Sequence, residues 1–205
     1  PRVSTLPPPG ARPISDIQWR PQWRPAQASA ELFERLVHQV PWEVHRIRMF
    51  GRMVDSPRLS CWVGDADATY RYSGTRFEPH PWTSVLLELR ERLEAETGAA
   101  FNSVLLNRYR TGHDSMGWHS DDERELGPPP LIASLSLGAA RRFSFRHRQD
   151  RTLRRDLQLG PGDLLLMGGD TQALYHHALP RTARPMGERI NLTFRLIGGA
   201  LAERE

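Results

Sequence analysis

Lysine is absent from this sequence of 205 residues: all 28 basic residues are arginine, against 24 acidic residues. The guanidinium group stays charged and its planar fork matches phosphate oxygens, so one interpretation is an anionic partner such as a nucleic acid. The other interpretation is codon bias in a GC-rich genome, which enriches arginine without any binding role. Composition favours neither of the two.

Cysteine and long apolar runs are also scarce. Cys61 is the only cysteine, which excludes an internal disulfide and favours a reducing compartment. No apolar run approaches the roughly 18 residues that a membrane-spanning helix needs, and the opening PRVSTLPPPGARP lacks the apolar core of a signal peptide. We therefore expect a cytoplasmic protein with no membrane partner. We also expect a monomer, and the length fits one catalytic domain.

The chain divides into a proline- and arginine-rich segment, residues 1–28, and a single domain, residues 29–205. Because proline fixes φ and removes a hydrogen-bond donor, the first segment is predicted to be an extended or partly disordered lead-in. The domain opens with a helix over 29–40 that Ser29 caps, and a second helix over 83–97 ends at Gly98.

The rest of the domain has the pattern of short strands. Residues 44–72 contain short β-type runs broken by Gly and Pro, and five further runs follow the second helix: FNSVLLNRYR, LIASLSLG, RRFSFRHR, DLLLMGG and RINLTFRLI. Such a series without intervening helices predicts a sandwich or jelly roll. The fold class is therefore α+β, mainly β, with the two helices beside the sheets.

Within the first of these regions, Met49-Phe50-Gly51-Arg52 has the pattern of a hairpin tip with an aromatic residue between arginines. One interpretation is an apolar wedge that unstacks a duplex step while the arginines hold phosphates. The other is that Phe50 belongs to the ordinary core.

Residues 107–122, NRYRTGHDSMGWHSDD, form the centre of the predicted site. Side chains two apart on a strand face the same way, so His119 and Asp121 can bind one ion. An imidazole and a carboxylate are two members of the 2-His-1-carboxylate set that holds non-haem Fe(II). Chance alone is expected to give about 0.5 His-x-Asp matches in a sequence of this composition, so the motif by itself is a weak signal. The competing interpretation is a surface turn with a solvated Asp.

The last predicted strand, 189–195, alternates cleanly between an apolar face and a polar face. The polar face carries Arg189, Asn191, Thr193 and Arg195. It either meets water or forms a donor-rich wall for a dicarboxylate, which arginine binds through two parallel hydrogen bonds.

A further histidine ligand would come from LYHHALP, which follows the DLLLMGG strand. Adjacent residues on a strand face opposite ways, so only one of His176 and His177 can enter the site. The pattern does not choose between them.

Three motifs together, His119-Ser-Asp121, His177-Ala-Leu-Pro and Arg189-Ile-Asn-Leu-Thr-Phe-Arg195, resemble the AlkB family of Fe(II)- and 2-oxoglutarate-dependent nucleic-acid demethylases. The likeness runs from about Phe33 to Ile197. It is greatest to the branch that contains the animal repair enzymes for duplex and single-stranded DNA, through FNSVLLNRYRTG, HSDDEREL, LIASLSLGA and RRFSFRH. The resemblance implies a double-stranded β-helix, with a jelly-roll core at about 100–198 and a nucleotide-recognition hairpin lid at about 44–80.

The resemblance also implies residue roles. The iron ligands would be His119, Asp121 and His177. The residues that bind 2-oxoglutarate would be Asn107, Tyr109, Arg189, Asn191, Thr193 and Arg195. The substrate contacts would be Phe50, Gly51, Arg58, Tyr70, Tyr72 and Asp122, with Arg58 a contact to DNA or to the opposite strand.

The implied activity is repair of alkylated DNA. With Fe(II), 2-oxoglutarate and O₂, the methyl group of 1-methyladenine or 3-methylcytosine would be hydroxylated and lost as formaldehyde, with succinate and CO₂ as the other products. Such a base must be flipped out of a duplex, which would give Phe50 its purpose. Asp122 and the aromatic face of Tyr72 would favour the cationic methylated bases over neutral ones.

Two features bear on the substrate. Duplex-specialised relatives carry adjacent basic residues before the last motif, whereas Arg181 and Arg184 are separated here, which counts against duplex preference. Of the seven arginines between Arg141 and Arg155, we expect a minority to contact phosphate.

RNA is a possible substrate beside DNA. The alternatives are an oxygenase that acts on RNA, tRNA or protein, and an inactive nucleic-acid-binding module.

Overall fold

The computed structural model describes residues 16–49, 52–68, 70–72, 75–122, 126 and 130–198. Within them the chain is mainly antiparallel β structure with three helices. The strands are β1 (Ile17–Arg20), β2 (Arg46–Met49), β3 (Arg52–Asp55), β4 (Leu59–Gly64), β5 (Tyr70–Tyr72), β6 (Thr75–Phe77), β7 (Ser103–Tyr109), β8 (Met116–His119), β9 (Ile132–Gly138), β10 (Arg141–His147), β11 (Arg154–Leu159), β12 (Leu164–Met167), β13 (Tyr175–Leu179) and β14 (Arg189–Arg195), and the helices are α1 (Ala26–Gln39), α2 (Ser84–Thr97) and α3 (Thr171–Leu174).

Two sheets form the core of the fold. The larger has the order β1-β12-β9-β14-β7-β4 and the smaller the order β11-β10-β13-β8. Side chains from both sheets meet in one buried cluster, in which Tyr109 and Met167 of the larger sheet lie with Phe145 and Leu179 of the smaller. The two sheets therefore face each other, as the series of strands in the sequence predicts.

The helices α1 and α2 cover the outer side of the larger sheet. Leu36 of α1 and Leu89 of α2 belong to a second buried cluster together with the apolar face of β14. The predicted end of the second helix is confirmed, since Gly98 has the left-handed φ of 69° that favours glycine at this position. No helix among the residues described combines the length and apolarity needed to cross a bilayer.

The predicted start of α1 is wrong by one turn. The helix begins at Ala26 after Pro25, with no side-chain cap, and Ser29 lies inside it. The Ser29 side chain is buried and donates to the carbonyl of Arg24 at 3.2 Å. Proline suits a helix start because its missing N–H needs no partner there.

The end of the predicted lead-in is part of the sheet. Strand β1 pairs antiparallel with β12, and the indole of Trp19 donates to the carboxylate of Asp163 at 3.1 Å. Residues 1–15 lie outside the described part of the chain, so the boundary at residue 28 stays a prediction.

Two hairpins occupy the region predicted to be the lid. Strand β2 pairs with β3, with Met49 opposite Arg52, and β5 pairs with β6. Phe50 and Gly51, the predicted wedge, lie outside the described residues.

Candidate active site

The polar face of β14 lies inside the jelly roll. This strand pairs with β7 on one side and β9 on the other, and all of its residues are buried. Its apolar side chains, including Leu192 and Phe194, pack toward the helices. Arg189 and Arg195 lie on the other face and therefore point between the two sheets. Of the two interpretations of this polar face, exposure to water is excluded, and the face forms a buried wall of hydrogen-bond donors.

The smaller sheet brings the predicted metal ligands together. His119 ends β8, and it lies opposite His177 of β13 in the register of the two strands. One donor atom from each of His119, Asp121 and His177 lies within 4.8 Å of the other two. His176 pairs with Arg146 and faces the opposite side of β13, so strand register makes the choice that the sequence pattern leaves open.

Local contacts orient the two imidazoles. The Nδ1 atom of His119 lies 2.8 Å from the carbonyl of Gly117, which leaves Nε2 toward Asp121 at 3.7 Å. The Nε2 atom of His177 lies 3.8 Å from the same carboxylate, and its ring stacks on Phe143 at a centroid distance of 5.4 Å. Both rings thus present Nε2 to a common point, as metal-binding histidines do.

The charge states of Asp121 and His177 suit a divalent metal. Burial alone would raise the pKa of Asp121, but Arg195, which donates to Oδ2 at 2.9 Å, and the two histidines hold that pKa well below its usual range. Burial lowers the pKa of His177 to about 3. At neutral pH the carboxylate is therefore ionised and His177 is neutral, which are the forms that bind metal ions.

Arg189 is a buried cation that forms no ion pair with any residue in the described part of the chain. It is 0% exposed, and its guanidinium donates to the carbonyl of Leu159 at 3.1 Å and to the hydroxyl of Ser136 at 2.7 Å. Its Nε has no partner among the residues described, and burial lowers its pKa to about 10. An isolated buried charge is costly, so this guanidinium fits the binding of a carboxylate ligand.

The remaining predicted cosubstrate residues line a narrow cavity together with the three metal-binding candidates and Arg195; they are Asn107, Tyr109, Asn191 and Thr193. Tyr109 lies directly opposite Arg189 in the pairing of β7 with β14. The Asn191 amide donates to Ser134 and to Thr193, at 3.0 and 3.2 Å. The side of the cavity formed by β7 and β14 is therefore polar and held in place by hydrogen bonds, while Phe143 and Leu179 of the smaller sheet line it with apolar side chains.

The DNA contact expected for Arg58 stays a prediction, and the structure shows a different contact for this residue. Arg58 is buried, and its Nε donates to the side-chain oxygen of Asn107 at 2.9 Å. Its Nη1 lies 3.4 Å from the carbonyl of Ser115. Arg58 therefore fixes the orientation of the Asn107 amide in the cosubstrate cavity, because the oxygen is occupied and the NH₂ group is left to donate.

Of the other predicted substrate contacts, the structure describes the side chain of Asp122. Asp122 is half exposed and forms an ion pair of 2.8 Å with Arg148. Tyr70 and Tyr72 belong to strand β5, but their side chains are outside the described part of the structure, as are Phe50 and Gly51.

One residue of the site has no signal in the sequence. Gln172 of α3 is buried, and its side-chain oxygen accepts a hydrogen bond from the backbone N–H of Asp121 at 3.0 Å. Its amide nitrogen lies 3.8 Å from the sulfur of Met167. Gln172 thus holds the backbone of a predicted metal ligand, although it lies 51 positions away in the sequence.

Comparisons with known proteins agree with this geometry. Residues 16–195 match the family model of the 2OG-Fe(II) oxygenase superfamily. The chain is 41% identical over 177 residues to mouse "DNA oxidative demethylase ALKBH2", with 82% of this chain and 74% of that protein covered. It is 40% identical over 193 residues to bovine "Alpha-ketoglutarate-dependent dioxygenase alkB homolog 3", with 90% and 67% covered.

A solved structure supports the fold alone. The structure of OsALKBH1 superposes with a TM-score of 0.63 at 18% identity, over 88% of this chain and 97% of that one. The predicted jelly roll is thereby confirmed. With the family model, the sequence identities and the His-Asp-His group in agreement, the chain belongs to the AlkB family of Fe(II)- and 2-oxoglutarate-dependent oxygenases.

Proposed function

We propose that this protein repairs DNA by oxidative demethylation, with 1-methyladenine and 3-methylcytosine as substrates. The observation that carries the proposal is a cavity inside the jelly roll in which the His119-Asp121-His177 group lies together with Arg195 and with polar side chains of β7 and β14. The relatives named as DNA oxidative demethylases support DNA as the substrate. Monomeric state, cytoplasmic location and any activity on RNA stay predictions.

The donor set fits Fe(II), with His119, Asp121 and His177 as the ligands. Two imidazoles and one ionised carboxylate on one side of an ion leave coordination positions for a cosubstrate and oxygen. When bound, Fe(II) with 2-oxoglutarate and O₂ supplies the oxidation of the methyl group. Succinate, CO₂ and formaldehyde are the expected products.

The arginines of β14 divide the work of holding 2-oxoglutarate. Arg195 already contacts the Asp121 carboxylate, so it lies at the metal end of the cavity, where it would bind one carboxylate of the cosubstrate. Arg189 would bind the other through two parallel hydrogen bonds, with Tyr109 opposite it. Asn107, Asn191 and Thr193 would complete the wall. Because the guanidinium groups are fixed before the ligand arrives, little side-chain entropy is lost on binding.

Recognition of the base would fall to residues outside the cosubstrate cavity. Asp122 lies one residue beyond the metal-binding carboxylate and is half exposed, so it can meet a base that enters from the surface. Its charge would favour 1-methyladenine and 3-methylcytosine, which are cations. Tyr72 would stack on the flipped base, and Phe50 would fill the gap left in a duplex.

One assay panel tests the proposal. The protein is incubated with Fe(II), 2-oxoglutarate and single-stranded or duplex DNA that carries one methylated base, and restored base, formaldehyde and succinate are measured. We expect the three products in equal amounts from wild type and none from His177→Ala, with Ser144→Ala, on the same sheet, as a control that retains activity.

Two outcomes would contradict the proposal. Succinate formation without restoration of any methylated DNA base would point to an oxygenase that acts on RNA, tRNA or protein. Nucleic-acid binding without succinate formation at any Fe(II) concentration would point to an inactive binding module.

A further inference from the structure

Two consecutive residues at the metal site are tied to the short helix α3 and to the residue that follows it. The hydroxyl of Ser120 donates to the carbonyl of Tyr175 at 2.8 Å. The backbone N–H of Asp121 donates to the side-chain oxygen of Gln172 at 3.0 Å. The position of Asp121, a predicted metal ligand, therefore depends on the position of α3.

Arg148 joins the next residue to the same helix. Its Nη1 donates to the carboxylate of Asp122 at 2.8 Å and lies 3.3 and 3.5 Å from the carbonyls of Gln172 and Ala173. Its backbone N–H donates to the carbonyl of Leu174 at 2.8 Å. Residues 120–122 are thus held at three successive positions, and we refer to α3 together with Tyr175 as the α3 brace.

The α3 brace begins at a tight turn over residues 168–170. The N–H of Thr171 bonds back to the carbonyl of Gly168 at 3.1 Å, and Gly169 has the left-handed φ of 49°. Glycine is needed at position 169 for a second reason, since a Cβ atom there would overlap the carboxylate of Asp16. The turn therefore packs directly against the residue that precedes β1.

Strand β1 holds the turn by its backbone as well. The carbonyl of Asp16 accepts a hydrogen bond from the N–H of Gly168 at 2.9 Å, and Ile17 lies opposite Met167 in the pairing of β1 with β12. The sulfur of Met167 lies 3.8 Å from the amide nitrogen of Gln172. A continuous series of contacts therefore runs from β1 through the turn and the α3 brace to the backbone of Asp121.

Strand β1 can leave the sheet without unfolding the core. It lies at one edge of the larger sheet and pairs only with β12. It has four residues, of which Ile17 alone is buried. Short edge elements open at a lower free energy than core strands, and an opening of β1 would release the N–H of Gly168 and the start of the α3 brace.

We infer that Asp16 is a positioning residue for the metal site, an inference that rests on the iron ligands assigned in the proposed function. Docking of β1 on the turn at 168–170 raises the affinity of the His119-Asp121-His177 group for Fe(II), because it fixes the brace that holds Asp121. Coupling between two sites is reciprocal, so Fe(II) must favour the docked form of β1 by the same factor.

Gly168 offers a variant that breaks the path at one atom. Gly168→Pro removes the N–H that donates to Asp16, whereas Gly168→Ala keeps it. An alanine Cβ would lie 3.3 Å from the end of the Leu131 side chain, and the φ of Gly168 is outside the left-handed region, so alanine fits as the control. Fe(II) binding is measured by calorimetry with O₂, 2-oxoglutarate and DNA left out. We expect Gly168→Pro to bind Fe(II) about tenfold more weakly and Gly168→Ala to bind it like wild type.

A double variant tests the route of the coupling. Gln172→Met removes the acceptor for the N–H of Asp121, so Gly168→Pro should cause no further loss of Fe(II) affinity in that background. Losses that multiply would overturn the inference, because β1 would then act by general destabilisation. At saturating Fe(II), the maximal rate and the 2-oxoglutarate requirement of Gly168→Pro should equal those of wild type.

Hydrogen exchange tests the reciprocal effect in the wild-type protein, without any substitution. Saturating Fe(II), again without O₂, should slow exchange of the amides of β1 and of Gly168 about tenfold, the factor expected for the proline variant. Strand β4, at the opposite edge of the larger sheet, is the control and should exchange equally with and without the metal. Protection of β1 no greater than that of β4 would refute the inference, even if the proline variant fails to fold.

The measurements keep this inference apart from the proposed function. If wild type binds Fe(II) and restores methylated bases but β1 does not respond to the metal, the coupling fails and the proposed function stands. If wild type binds no Fe(II), both fail.

Discussion

Gln172 offers the sharpest test of how the metal site is held. Its side-chain oxygen accepts the hydrogen bond from the backbone N–H of Asp121, and both residues are almost fully buried. Replacement by methionine keeps the length and volume of the side chain but removes the acceptor. The N–H of Asp121 would then be buried without a partner, so the backbone that carries the carboxylate would lose its contact with α3, while the bond from Arg195 to the carboxylate remains.

The size of the effect follows from the burial of that N–H. A buried donor left without an acceptor costs about 1–3 kcal/mol. If the whole penalty destabilises the conformation that binds iron, the affinity for Fe(II) falls about 5- to 150-fold, since about 1.4 kcal/mol corresponds to a factor of ten in the binding constant. Residues that support metal ligands show losses of about 10- to 100-fold, which agrees with this range.

The assay is an Fe(II) titration of succinate formation with 2-oxoglutarate and a methylated oligonucleotide at saturation. We expect Gln172→Met to need about 10- to 100-fold more Fe(II) for half-maximal rate, with most of the maximal rate recovered at high Fe(II). Thr171→Val is the matched control. It lies next to Gln172 on α3, it is buried, and its hydroxyl has no partner in the described structure.

An unchanged Fe(II) requirement in Gln172→Met, with a melting temperature close to that of wild type, would refute the positioning role. A loss of maximal rate that no concentration of Fe(II) restores would also count against it, because the hydrogen bond is argued to act on metal binding.

Three further predictions concern Arg189, Phe50 and Cys61. Arg189→Met should raise the 2-oxoglutarate concentration for half-maximal rate about 100-fold, because two charge-assisted hydrogen bonds to the cosubstrate would be lost. The variant should not lower the melting temperature of the ligand-free protein, because it removes a buried unpaired charge. A lower melting temperature in fluorimetry would contradict this reasoning. Phe50→Ala should lose more activity on duplex than on single-stranded DNA, and equal losses would remove the wedge. Burial raises the pKa of the Cys61 thiol to about 12. Iodoacetamide at about pH 8 should therefore label Cys61 only after unfolding. Rapid labelling of the native protein, detected by mass spectrometry, would contradict this prediction.

The sequence predicts those parts of the site that depend on local pattern. Alternation along residues 189–195 places Arg189 and Arg195 on one face, and the spacing of His119 and Asp121 makes them neighbours. The same rule cannot choose between His176 and His177, because it says only that they face opposite ways. The choice depends on the pairing of β13 with β8 and β10, which are remote in sequence.

Residues that act through remote contacts could not be predicted. Arg58 reaches Asn107 across 49 positions, and nothing near it distinguishes a buried arginine from one that contacts DNA. The start of α1 was mispredicted for a related reason. Ser29 is a good capping residue by type, but the segment before it packs on Gly162, where Arg24 donates to the glycine carbonyl at 3.0 Å, and this contact extends the helix by one turn.

The polar face of β14 shows why a local rule fails at this site. A strand with one apolar and one polar face is expected to turn the polar face to water. Here α1 and α2 cover the apolar face and the smaller sheet covers the polar one, so a strand that looks half-exposed has no exposed residue. The guanidinium of Arg189 bonds to Leu159 and Ser136, but it forms no ion pair with any described residue, and burial of a charge in that state costs stability in the ligand-free protein. Under the proposed function a bound dicarboxylate would offset this cost, at the position where the local sequence rule and the observed burial disagree.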